Sequence, residues 1–222
     1  MKVCAALGVR PGVTSVIGGG GKSTLLEVLA LELAPASVIL CTTTHMFPPR
    51  TVATADTTDE GAVRARLAER GALCLGTWGA DGRLRTPALP MERLAALADY
   101  VIVEADGSRQ LPLKAHAPHE PAVPPESGRT VWVVGLSGLG RPIREAAHRP
   151  ERFAALAEAT VDDLATPERV ARVIDREANS DIVLLNQADI PDGMVLAWAV
   201  ARSLVRPAVA SSLQRRECLC LW

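Results

Sequence analysis

The stretch that decides the fold is VIGGGGKST, Val16 to Thr24. It reads as a phosphate-binding loop with one irregularity. The usual spacing is G-x-x-x-x-G-K-[ST], and counting back from Gly21-Lys22-Ser23 puts Val16 where the first glycine stands. Four successive glycines, Gly18, Gly19, Gly20 and Gly21, still let backbone N–H groups turn inward and approach a phosphate closely. The short apolar run Val13–Ile17 predicts a strand before them. STLLEVLALEL, Ser23–Leu33, predicts a helix after them, whose N-terminus adds positive potential for an anion. In that setting Lys22 reaches the β- and γ-phosphates, and Ser23 offers its hydroxyl to Mg²⁺ with Thr24 beside it. The plain alternative is a flexible glycine turn that happens to precede a lysine.

Working outward, the rest of the chain repeats the same alternation. SVILCT (Ser37–Thr42), YVIVE (Tyr100–Glu104), TVWVVG (Thr130–Gly135) and DIVLLN (Asp181–Asn186) are continuous apolar runs, and Leu73–Leu75 and Arg206–Ser211 are shorter ones. Helical patterns fall at Asp59–Arg70, Met91–Ala98, Arg152–Ala159, Pro167–Arg176 and Val195–Leu204. Uninterrupted apolar strands alternating with helices predict an α/β fold. Its mostly parallel sheet carries helices on both faces, a three-layer α/β/α sandwich of the P-loop nucleotidase kind, as one domain over 1–222.

Composition adds exclusions. The 222 residues carry a formal net charge of −1, so nothing points to a nucleic-acid surface. No apolar run approaches the roughly 18 residues that span a membrane. Five scattered cysteines form neither a disulfide framework nor a zinc ribbon, which suits a reducing cytoplasm. Cys218-Leu219-Cys220 reads as a hydrophobic strand, with soft-metal or selenium binding as the alternative. Lysine occurs only at 2, 22 and 114, so one of three sits in the glycine loop.

In parallel sheets ligands bind beyond the carboxyl ends of the strands. After the second strand comes Thr42-Thr43-Thr44-His45, with Thr44 able to complete a Mg²⁺ shell or the run being a plain strand end. After YVIVE comes Glu104-Ala105-Asp106-Gly107, shaped like hhhhDxxG with glutamate for aspartate. Glu104 and Asp106 are the candidate metal carboxylates. After DIVLLN comes Asn186-Gln187-Ala188-Asp189, which resembles the guanine motif N-K-x-D with glutamine for lysine. Asp189 would accept guanine N1–H and the 2-amino group, and adenine offers neither. An ordinary turn is the alternative, since Asn and Asp favour turns. The loop also resembles the deviant K-G-G-x-G-K-[ST] of the SIMIBI nucleotidases, but Ile17 replaces the extra lysine of that class.

The block EADGSRQLPLKAHAPHEPAVPP, Glu104–Pro125, narrows the reading. With GGGGKST, TTTH, GLSGLGRPIREAAHRPE and LLNQAD it resembles the YqeC family, accessory proteins for selenium-dependent hydroxylases, over about Val13 to Gln214. The resemblance implies a P-loop protein that serves a molybdenum hydroxylase apoprotein or a selenium donor. It places Lys22, Ser23 and Thr24 at phosphate and Mg²⁺, and Glu104 and Asp106 at metal. Ser108, Arg109 and Lys114 fall on a loop beside the γ-phosphate or an acceptor. Lys22, Asp106 and Arg109 are then the candidate catalytic residues, Arg109 as a charge stabiliser in cis or as a plain solvent-facing arginine. His116-Ala117-Pro118-His119-Glu120 invites a zinc reading, but Pro118 and Pro121 break the helix that H-E-x-x-H needs.

The expected function is a Mg²⁺-dependent nucleotidase, GTP favoured over ATP. A small-molecule phosphotransferase holding its acceptor on Arg109–His119 is the alternative, and a non-hydrolysing nucleotide-binding module is a third.

Overall fold

In the computed structural model, which describes residues 1–221, the apolar runs pair into one nine-stranded sheet. Its strands are β1 (Gly12–Gly18), β2 (Val38–Thr42), β3 (Thr54–Ala55), β4 (Ala72–Leu75), β5 (Tyr100–Glu104), β6 (Ser127–Gly135), β7 (Ile182–Asn186), β8 (Ala208–Ser212) and β9 (Glu217–Cys220). Across the sheet they run β9-β8-β7-β6-β1-β5-β2-β4-β3. Every pairing is parallel except that of β9 with β8.

The helices are α1 (Val3–Ala6), α2 (Lys22–Glu32), α3 (Glu60–Arg70), α4 (Met91–Leu97), α5 (Ile143–Ala146), α6 (Pro150–Ala157), α7 (Pro167–Glu177) and α8 (Gly193–Ser203). Alternate side chains of each strand go to opposite faces, which is why the strands are apolar throughout. Ile39, Val101, Val103, Trp132, Val134, Val183 and Leu185 join the core under α3 to α8. Leu40, Ile102, Val131, Val133, Ile182 and Leu184 join the core under α1 and α2. The three-layer expectation therefore holds.

Local signals set the ends of these elements. Asp59 caps α3 by accepting from the Gly61 and Ala62 amides, and Thr166 caps α7 with Pro167 as its first residue. The segment expected as a helix over 152–159 begins earlier, at Pro150, and stops when Glu158 turns left-handed. The final parallel strand is Ala208–Ser212, and the Cys218-Leu219-Cys220 run returns beside it as β9, the strand its alternation predicts. The short α1 carries no strong sequence signal. It forms because Val3 and Leu7 bury fully against α2.

β1 lies between β6 and β5, and the chain leaves it for β2, one place further on. That arrangement lines up the carboxyl ends of β1, β5 and β2 on one side and of β6, β7 and β8 on the other. A crevice opens there. Among the described residues no helix is long and apolar enough to cross a membrane.

Phe153 on α6 is 1% exposed, whereas Val205 is 88% exposed. Phe153→Ala should lower unfolding free energy by about 3–5 kcal/mol in urea titration. Val205→Ala should stay within about 0.5 kcal/mol of wild type.

Candidate functional site

The irregular loop is resolved by where β1 ends. Val16 is fully buried within the strand, pairing beside Glu104, so it needs side-chain volume rather than glycine freedom. The turn starts two residues later. Gly18 and Gly20 have φ of 94° and 79°, in the left-handed region that favours glycine. A Cβ on Gly20 would lie 2.3 Å from the Gly135 Cα, so the loop packs directly on the end of β6. The Gly18 and Gly19 amides are used, donating to Asp106 Oδ2 (2.8 Å) and the Val133 carbonyl (2.9 Å). Among the described residues the amides of Gly20, Gly21, Lys22, Ser23 and Thr24 meet no acceptor. They form a row of unpaired donors at the start of α2.

Beside that row, Lys22 is folded back onto the protein. Its Nζ donates to the Gly18 carbonyl (2.7 Å) and the Ser108 hydroxyl (3.2 Å), and sits 3.1 Å from Asp106 Oδ1 and 3.9 Å from Glu104 Oε1. Its approach to Asp106 Oδ1 is a charge contact outside hydrogen-bond geometry. The Ser23 hydroxyl donates to Glu104 Oε2 at 3.1 Å. Thr42 Oγ1 donates to the Glu104 carbonyl and accepts from the Thr44 amide, which brings Thr44 to the same rim.

Glu104 and Asp106 part company. β5 ends at Glu104, so Asp106 does not follow it along the same strand face. Glu104 lines the crevice, whereas Asp106 is 0% exposed beneath the loop. There it meets Lys22, Lys114 Nζ (3.3 Å) and His116 Nε2 (2.7 Å) as well as the Gly18 amide. His116 in turn offers Nδ1 to Glu177 Oε2 on α7 (2.5 Å) and stacks edge-on against Trp132. Both ring nitrogens are thus occupied, and among the described residues no group of three or more His, Cys, Asp or Glu side chains could hold a metal.

The electrostatics follow from this packing. Burial pushes the Asp106 carboxyl up, but Lys22, the His116 hydrogen bond and Lys114 outweigh it and hold its pKa far below the usual range. For His116 burial works downward, and the bonds to Asp106 and Glu177 outweigh it, so its pKa is raised. At Glu104 burial dominates over Lys22, and Asp106 adds repulsion, so that carboxyl is raised.

At the other side of the loop, Asn186 is a clamp. Its Nδ2 donates to the Gly20 carbonyl (2.8 Å) and its Oδ1 accepts from the Leu213 amide (3.2 Å). Gln187, at φ 70°, accepts from the Ser137 amide (3.2 Å). Asp189 faces the crevice and meets Arg215 at 3.6 Å, a partly exposed pair of small energetic weight. Gly20 to Thr24, Thr44, Glu104, Arg109, Asn186, Gln187 and Asp189 all line one cavity of about 1240 Å³. Gly18, Gly19 and Asp106 support it from beneath. No local spacing signals Glu177, His148 or Arg149: Glu177 and Arg149 meet their partners 61 and 29 residues away, and His148 is brought to the cavity wall by the fold alone.

The donor set fits an anion and a hard cation. The unpaired amides suit phosphate, and Ser23 with Glu104 supplies the few protein oxygens that Mg²⁺ takes when phosphates and water complete its shell.

Comparison with known proteins bears on the family of the chain. The family described as YqeC protein matches residues 14–151. A protein of Escherichia coli strain K12, described as uncharacterized protein YqeC, is 33% identical over 239 residues, spanning 96% of this chain and 87% of its own length.

The Asp106–His116–Glu177 chain sets a pH signature. His116 has a raised folded pKa, so its stabilisation is fully present below about pH 6.5 and is lost as pH rises through the folded value. Asp106, with a lowered pKa, gives stability that is fully present above about pH 3.9 and is lost progressively as pH falls from there through the folded value. Urea titrations should show wild type more stable than His116→Gln at about pH 6, with the gap shrinking by about pH 9. A gap that widens with pH would show His116 to be neutral in the fold.

Proposed function

We propose that this chain, which belongs to the YqeC family, is a Mg²⁺-dependent P-loop nucleotidase. It favours GTP over ATP and acts in the cytoplasm as an accessory factor in the maturation of a selenium-dependent molybdenum hydroxylase. The observation that carries the nucleotidase reading is the row of unpaired amides from Gly20 to Thr24, flanked by Lys22 and the Ser23–Glu104 pair. The hydroxylase client follows from the family resemblance.

In this reading the amides and Lys22 bind the β- and γ-phosphates, Lys22 exchanging the Gly18 carbonyl for phosphate oxygen. Ser23 and Glu104 would hold Mg²⁺, which when bound neutralises charge on the phosphates. The Asp106 carboxylate keeps Lys22 aimed at the loop from below. Arg109 stands on the cavity wall as the candidate charge stabiliser in cis.

Of the acids lining the cavity, Glu104 bonds Ser23, Glu120 bonds Arg149 and Asp189 lies beyond Asn186. In this reading none of them is assigned as a dedicated base, which suits slow, switch-like turnover. At the base end Asp189 discriminates by its two acceptor oxygens, while Asn186 and Gln187 shape the loop around it. Phosphoryl transfer to a small acceptor is the second reading, favoured by the basic residues Arg109 and Arg149 on the same cavity.

Lys22→Ala should weaken Mg·GTP binding by about 10- to 100-fold, the worth of a hydrogen bond to a charged group. Undiminished binding in that variant would overturn the nucleotide reading. In GTP/ATP competition, wild type should prefer GTP and Asp189→Asn should lose the preference. Equal affinity for both nucleotides in wild type would remove the guanine assignment. Adding the cognate molybdenum hydroxylase apoprotein should raise the hydrolysis rate, and an unchanged rate would remove that client.

A further inference from the structure

The cavity is large for a single small ligand. Pockets for one drug-sized ligand run to about 300–1,000 Å³, and this one reaches about 1240 Å³. The glycine loop, Glu104 and Asp189 account for part of its lining. The rest of the wall includes Arg109, His119, His148 and Arg149. These residues come from two segments distant in sequence. The short parallel pairing of Leu113–Lys114 with Ala147–His148 holds the segments side by side.

Three features set this wall apart from a solvated basic surface. Arg109 makes no hydrogen bond or ion pair with any described residue, although it faces the cavity. His148 Nδ1 is buried without a hydrogen-bond partner. Arg109, Gln110 and Arg149 hold left-handed backbones at φ of 50°, 62° and 64°, a costly conformation that side-chain-bearing residues keep where surrounding structure imposes it.

The opposing acid is already engaged. Glu120 receives Arg149 through Nε (3.1 Å) and Nη2 (2.9 Å), Lys114 Nζ at 3.3 Å and the Ala117 amide at 3.2 Å. Burial raises its pKa, but Arg149 and Lys114 bring it down to about 2, so it is ionised and its charge is matched. Lys114 also serves Asp106, and Arg109 is left as positive charge facing the cavity.

We propose that Arg109, His119, His148 and Arg149 form a second ligand site, one that takes the phosphate or carboxylate group of a small anionic co-substrate next to a nucleotide held on the glycine loop. The neighbouring nucleotide rests on the reading above; the anion contacts themselves do not.

Calorimetric titration of inorganic phosphate into the full chain tests this, with and without saturating Mg²⁺ and a non-hydrolysable GTP analogue. With the analogue bound, one equivalent of phosphate should still bind. Arg109→Gln and His148→Gln should each weaken it by about tenfold or more. Arg66→Gln, which removes an equal charge from the exposed face of α3, should leave phosphate affinity unchanged. Should His148→Gln melt early, the exposed and unpaired Arg109 decides alone. Phenyl phosphate binding tighter than phosphate would assign the anion to a larger acceptor, and the reverse order would assign a free oxyanion.

Absence of phosphate binding beside the bound analogue, or full affinity in Arg109→Gln, overturns the second site while leaving the nucleotide reading intact. Phosphate binding that requires Arg109 in a chain that binds no nucleotide does the opposite.

Discussion

The structure turns on one buried carboxylate. Asp106 is shut away from water, and a charge so placed is tolerated only when cations and donors surround it. Its partners come from two segments of the site: the Gly18 amide and Lys22 from the loop, and Lys114 and His116 from the segment after β5. Through His116 it reaches Glu177 at the end of α7, on the opposite side of the sheet from α2. The carboxylate thus fixes the glycine loop to both outer layers. If Lys22 turns to a phosphate, Asp106 keeps Lys114 and His116, so the loop retains its footing.

A second tie joins the phosphate end to the base end. Asn186 bonds the Gly20 carbonyl with one side of its amide and the Leu213 amide with the other. The segment after β7 and the segment after β8 are therefore set in register with the loop, and Asp189 follows from that placement. Fold alone does not assign an activity; the functional reading rests on these donors, acceptors and charges converging on one crevice.

Much of this was legible in the sequence because the strands are buried on both faces. Runs such as YVIVE and DIVLLN can be little else, and their final residues, Glu104 and Asn186, lie at the crevice as expected. Val16 looked like a fault in the loop because the motif counts positions; the chain instead keeps the strand going and starts the turn at Gly18. Asp106 was legible as important but not in kind, because its direction depends on β5 stopping at Glu104. Glu177 was illegible: it meets His116 from 61 residues away, and nothing local marks it. Gln187 stands where the guanine motif has lysine, yet from a left-handed backbone its side-chain oxygen accepts from the Ser137 amide. Arg149 was hidden for a similar reason, since its role depends on a two-residue parallel bridge that no propensity predicts.

The central claim is that Gly20 to Thr24, Lys22 and Asp189 frame one nucleotide. Titrating GTP into the wild-type chain by calorimetry, with and without Mg²⁺, tests it most directly. The account predicts one GTP per chain, bound more tightly with Mg²⁺ than with chelator and more tightly than ATP. A chain that binds neither nucleotide with Mg²⁺ present would contradict it.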